Sequence, residues 1–141
     1  MTSRADVHVP HGSSDGELLA KALTAAVEGV PVLFVIPVAA GEAAGVDLTV
    51  AHKTRIVDAW AVHTGGDGEA SDTLTVQNGE NAITDAMDWS GLDTAIVRAG
   101  EINDAYHEIA AGGTLCVSPA DADEQDDLGA GIVYVLGVRC K

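Results

Sequence analysis

From residue 30 onward the chain alternates between short apolar runs and breaks rich in glycine and acidic residues, with a break roughly every ten residues. Residues 30–38 form a continuous apolar run rich in branched side chains, which predicts a strand buried on both faces. Residues 46–51 alternate, with Val46, Leu48 and Val50 on one face and Asp47 and Thr49 on the other. Residues 54–64 read as a long strand carrying Ile56, Val57, Trp60 and Val62. In residues 72–76, Leu74 and Val76 alternate with Thr73 and Thr75, and Asn78-Gly79 in the turn that follows is a strong hairpin signal.

Residues 82–87, 94–99, 114–118 and 132–140 read as further strands, and residues 65–71 and 121–127 as loops. Residues 102–111 are expected to form a short helix, because Ile102, Ala105, Tyr106 and Ile109 share one helical face and Gly112-Gly113 would end it. The expected fold is mainly β: a sandwich or barrel of about seven to eight short strands with an N-terminal helix and one short inserted helix.

The N-terminal region follows a different pattern. Residues 1–13 show no periodicity and contain Pro10 and Gly12, so residues 1–14 read as an extended arm and residues 15–141 as a single β-rich domain. Ser14 and Glu17 have capping-box spacing. Residues 15–28 then carry Leu18, Leu19, Ala22, Leu23, Ala26 and Val27 at helical spacing, and Gly29 stands where a helix would stop.

Composition narrows the picture. The chain has 141 residues, enough for one core without covalent staples. Hydrophobic residues make up 47% but aromatics only 4%, which predicts a thin core of small and β-branched side chains. A formal net charge of -15 argues against nucleic acid and anionic membranes as partners. The run over residues 30–40 is interrupted by Pro31 and Pro37 and does not read as a spanning helix. It also lies too far along the chain, behind Glu17 and Glu28, for a signal-peptide core, and nothing marks export. Cys116 and Cys140 are too few for a disulfide framework. A hairpin of the last two strands around residue 125 would set Cys116 opposite Tyr134, away from Cys140.

Candidate chemistry is sparse. His8 and His11 flank Pro10, which removes the helix that would put both on one face, so the pair is a weak metal signal. His52, His63 and His107 are expected at turns and strand ends, in solvent. The acidic loop at residues 121–127 lacks the glycine and terminal glutamate of an EF-hand and reads as a solvated hairpin loop that discourages edge pairing. There is no Gly-x-Ser-x-Gly elbow, no phosphate-binding loop and no thiolate-stabilising context. No cofactor and no catalytic activity are expected. Trp60 and Trp89 read as core or subunit-contact anchors. The arm, with Val7, His8, Val9, Pro10 and His11, reads either as a disordered terminus or as a clasp on a neighbouring subunit.

A resemblance extends over roughly residue 30 to the end. It begins at Val32-Leu33-Phe34-Val35-Ile36-Pro37 and Arg55-Ile56-Val57-Asp58-Ala59-Trp60, and rests mostly on residues 72–79 and 82–86. It continues through Ala95–Ala99, Ile102–Ala105 and Ile109–Leu115 and closes on Val133–Arg139. In these segments the chain resembles small structural proteins from the head-gene region of tailed phages. The resemblance implies a virion protein, most of all a capsid decoration or cement protein. Such a protein is made in the host cytoplasm and binds the major capsid protein on the outer shell, commonly as a homotrimer. It carries over no catalytic residues, and in such proteins an N-terminal arm commonly serves as a clasp. The rival readings are a head fibre or tail protein, a small-ligand or carbohydrate-binding β module and, last, an enzyme.

Overall fold

The computed structural model describes residues 29–41, 44–65, 72–90, 96–120 and 128–141. Among these residues every regular element is a strand: β1 (Pro31–Val38), β2 (Val46–Thr49), β3 (Thr54–Gly65), β4 (Thr73–Asn78), β5 (Asn81–Ala82), β6 (Met87–Asp88), β7 (Ile96–Arg98), β8 (Glu108–Ile109), β9 (Thr114–Ala120) and β10 (Ala130–Arg139). They form two antiparallel five-stranded sheets. The first runs β1-β10-β3-β7 with β8 also on β3; the second runs β2-β9-β4-β5 with β6 also on β4. Strands β1 to β4 fall alternately in the first and second sheets, so each sheet is assembled from distant parts of the chain.

One core joins the two sheets in a sandwich-like arrangement. Alternation places Ile36, Ile56, Ala59, Ala61, Val133 and Val135 on the inner side of the first sheet, and Leu74, Val76, Leu115 and Val117 on that of the second. Ile56 and Ala59 both point inward despite odd spacing, because the ladder shifts register between Leu136 and Gly137 and takes up Val57 as an extra residue. Trp89 is the largest buried side chain, 1% exposed, with its indole N–H donating to the Gly129 carbonyl at 3.0 Å. His63 meets it edge-on at 5.2 Å. Gly129 and Gly131 make room for this pair: a Cβ on the first would collide with the His63 ring, and one on the second with the Trp89 ring and the Val62 carbonyl.

Several sequence expectations change. The run over residues 30–38 is not buried on both faces, because the second sheet covers only one of them: Leu33 and Val35 are 50% and 53% exposed and Ile36 only 3%, and β1 also lies at the edge of its sheet. The Val30 carbonyl accepts from the Arg139 amide, so the even positions face β10 and Pro31 and Pro37 face the free edge. Prolines there cost no ladder bond and blunt the edge against further pairing.

The expected helix over residues 102–111 is absent. The Asn103 side chain accepts from the Ala105 amide, and its carbonyl accepts from Tyr106 and His107, so a single tight turn forms. Ile102 bridges to Thr84 and β8 pairs with β3, so sheet pairing takes the residues on either side. Residues 82–87 are not one strand either, being divided between β5, the Thr84 bridge and β6.

The last two strands do not form a hairpin: β9 belongs to the second sheet and β10 to the first. Cys116 therefore faces Asp47 and Gln77 rather than Tyr134, and both cysteines are free thiols. His63 is buried rather than solvated. The Asn78-Gly79 signal does mark a hairpin, with Asn78 pairing Asn81 and Gly79 at φ +62°. The expected arm, the helix over residues 15–28 and the acidic loop at 121–127 lie outside the described residues.

Candidate interaction surface on the first sheet

The outer side of the first sheet is apolar, and the register explains how. Four rows cross it: Pro31, Val138, Arg55 and Glu108 at one end; then Leu33, Leu136 and Asp58; Val35, Tyr134, Trp60 and Arg98; and Pro37, Ile132, Val62 and Ile96, the last three rows mostly apolar. Each strand supplies these residues at every second position, opposite the core residues, so both parities of β1 and β10 are hydrophobic for different reasons. Trp60 and Tyr134 stack as cross-strand partners, ring centroids 5.6 Å apart and planes 14° from parallel. Such aromatic pairs add about 0.5–1.5 kcal/mol beyond their buried area. Ile96, at the far edge, is 72% exposed.

An ion pair joins two of the apolar rows. The Arg98 guanidinium donates through Nε to Asp58 Oδ1 at 3.2 Å and through its terminal nitrogen to Oδ2, a two-point clamp between neighbouring strands. Asp58 Oδ1 also accepts from the Ala59 amide at 2.9 Å beside the register shift, which holds the carboxylate in place. The face therefore presents tryptophan, tyrosine and arginine around a fixed carboxylate. Those residue types are enriched where protein partners bind most tightly.

With strands about 4.8 Å apart and rows about 7 Å apart, the face covers about 400 Å². It is about half of what one partner contributes to a standard stable interface, about 800 Å².

Other polar groups among the described residues hold turns. A hollow of about 430 Å³ lies between residues 82–85 and 101–104, where Asp85 accepts from the Gly100 and Glu101 amides. This carboxylate holds a turn. The Cys116 thiol is pushed up to about 11, chiefly by burial and then by the neighbouring Asp47 carboxylate, so at neutral pH it is protonated and a poor nucleophile. Among the described residues no three His, Cys, Asp or Glu side chains gather as a metal site. No described helix is long and apolar enough to cross a membrane.

Of the residues singled out from sequence, Trp60 lies in the middle of the outer face. Trp89 is a core residue and, correcting the contact role considered for it, offers no surface to a partner. Val7, His8, Val9, Pro10 and His11 lie outside the described residues. Sequence reasoning missed Tyr134, Arg98 and Asp58 as parts of one face. The available signal was the double apolar parity of residues 132–136, where Ile132, Tyr134 and Leu136 interleave with Val133 and Val135. Comparison with family models, curated proteins and solved structures finds no match.

Proposed function

We propose that this protein is a structural component of a tailed-phage virion, a decoration or cement protein. On this reading it binds the major capsid protein on the outer surface of the head, as a β-sandwich and as a homotrimer. The observation that carries the proposal is the outer face of the first sheet: an apolar surface centred on Trp60 and Tyr134, on a chain whose net charge is -15. Solubility alone would favour polar residues at these alternating positions, so a contact surface accounts for their chemistry. The resemblance to head-region phage proteins supplies the kind of partner. A face of about 400 Å² is small for a lone interface, which fits a protein held by several subunits at once.

The test is co-sedimentation of the full chain with purified phage heads in a density gradient, beside Trp60→Ala and Arg98→Ala variants. Binding of the parent chain with at least about tenfold weaker binding of Trp60→Ala is expected, a loss typical of a central aromatic anchor. Failure of the parent chain to sediment with heads carrying its own capsid protein would overturn the virion reading. Undiminished binding by both variants would move the contact off this face.

A further inference from the structure

Asn78 ties the two sheets together through its side chain. Its backbone belongs to β4 in the second sheet. Its Nδ2 donates to the Tyr106 carbonyl at 3.1 Å and to the Glu108 carbonyl at 2.9 Å, in the turn before β8 and in β8 itself, which pairs into the first sheet. The next residue is Gly79, whose amide donates to the Thr114 carbonyl at 2.9 Å. Of the three asparagines in the chain, only Asn78 precedes a glycine. Gly79 is exposed, and nothing lies within 4 Å of the place its Cβ would take.

Asparagine before glycine has a chemistry of its own. Glycine lacks the side chain that shields a peptide nitrogen, and its backbone freedom lets that nitrogen turn toward the preceding side chain. Hydroxide takes the proton from the Gly79 nitrogen, the nitrogen bonds to Asn78 Cγ, and the Cγ–Nδ2 bond breaks. The departing amide nitrogen takes up a proton from water and leaves as ammonia. Water then opens the cyclic imide at either of its carbonyls, leaving aspartate or isoaspartate with no oxidation or reduction.

We propose that Asn78 is a deamidation site that acts as a one-way latch. In the folded chain the attacking nitrogen is tied to Thr114 and the leaving nitrogen to Tyr106 and Glu108, so these three hydrogen bonds open before the ring can close. Conversion then prevents them from re-forming. An ionised carboxylate has no donor to offer the two carbonyls and faces them with like charge, and isoaspartate also lengthens the backbone by a methylene. Residues 104–109 thereby lose their tie to the second sheet, and the β8 pairing that sets Glu108 beside Arg55 on the outer face loosens. The inference is independent of the virion reading.

The test is peptide mapping by mass spectrometry of the full chain held at pH 8, folded or unfolded in urea, with fragmentation that separates aspartate from isoaspartate. Conversion at Asn78 is expected in the unfolded chain and at least about tenfold more slowly in the folded one, because reaction waits on local opening. Asn103→Ala removes the acceptor that holds the Ala105 amide in the adjoining turn, and should speed conversion of the folded chain about fivefold. Asn78→Asp reproduces the product and should speed amide exchange in residues 104–109 at least about tenfold while β1 and β10 keep their protection. Absence of conversion in the unfolded chain would overturn the proposal. So would equal rates in the folded and unfolded chains, or an unchanged rate in Asn103→Ala. Parent-like exchange in Asn78→Asp would remove the latch, and loss of protection throughout β1 and β10 would show that Asn78 holds the whole fold instead.

Discussion

Val35 and Val38 lie three residues apart in the same apolar run, and one substitution in each tests the placement of β1. Val35 is 53% exposed on the outer face and Val38 is 2% exposed in the core. Threonine keeps the branched shape and the strand preference of valine, so the comparison isolates the hydroxyl. At Val38 the hydroxyl leaves water, at a cost of about 1–3 kcal/mol. At Val35 it stays hydrated and only a half-buried methyl is lost, worth about 0.4 kcal/mol.

A chain of 141 residues unfolds with an entropy of about 0.3 kcal/mol/K, so the expected drops in Tm are about 3–10 °C for Val38→Thr and about 1 °C for Val35→Thr. Thermal melts followed by circular dichroism at pH 7 measure both, and urea midpoints check them at fixed temperature. Equal losses would mean that β1 is covered on both sides, as the bare sequence suggests, and would refute the open outer face. A larger loss at Val35 would invert the assignment of faces.

Gly131→Ala should destabilise by at least about 1–3 kcal/mol, since its Cβ collides with the Trp89 ring and a fixed carbonyl; a lowered urea midpoint with an unchanged slope is the expected readout. In a Cys140→Ser background, Cys116 should alkylate slowly. Its pKa, pushed up from an ordinary 9.0 to about 11, leaves about a hundredfold less thiolate at pH 8, and Asp47→Asn should speed labelling by easing that rise. Asn78→Ala should cost about 1 kcal/mol and speed amide exchange around residues 104–109, because the Asn78 amide donates to the Tyr106 and Glu108 carbonyls.

Much of the strand order along the chain was legible because alternation and turn chemistry are local. Residues 72–76 show their inner and outer faces directly, and Asn78-Gly79 marks its hairpin. The failures share one cause. Ile102, Ala105, Tyr106 and Ile109 have helical spacing, but Thr84 and β3 offer sheet partners from distant segments, and the Asn103 turn releases the chain to reach them. The hairpin expected for β9 and β10 failed for the same reason, since their proper neighbours are β2 and β4 on one side and β1 and β3 on the other.

The outer face was hidden more deeply. Trp60, Tyr134, Arg98 and Asp58 come from three separated strands, and only the register of β10 between β1 and β3 puts them in adjoining rows. By itself, then, the sequence determined a mainly β chain with an acidic surface and a core of small branched residues. These follow from composition and from a two-residue period that each strand carries within itself. Tertiary structure alone decided which apolar residues are core and which are surface. A strand that is hydrophobic at both parities has two equivalent faces until a second sheet covers one of them. For β1 and β10 that second sheet covers Ile36, Val133 and Val135 and leaves Leu33, Val35 and Tyr134 on the outer face.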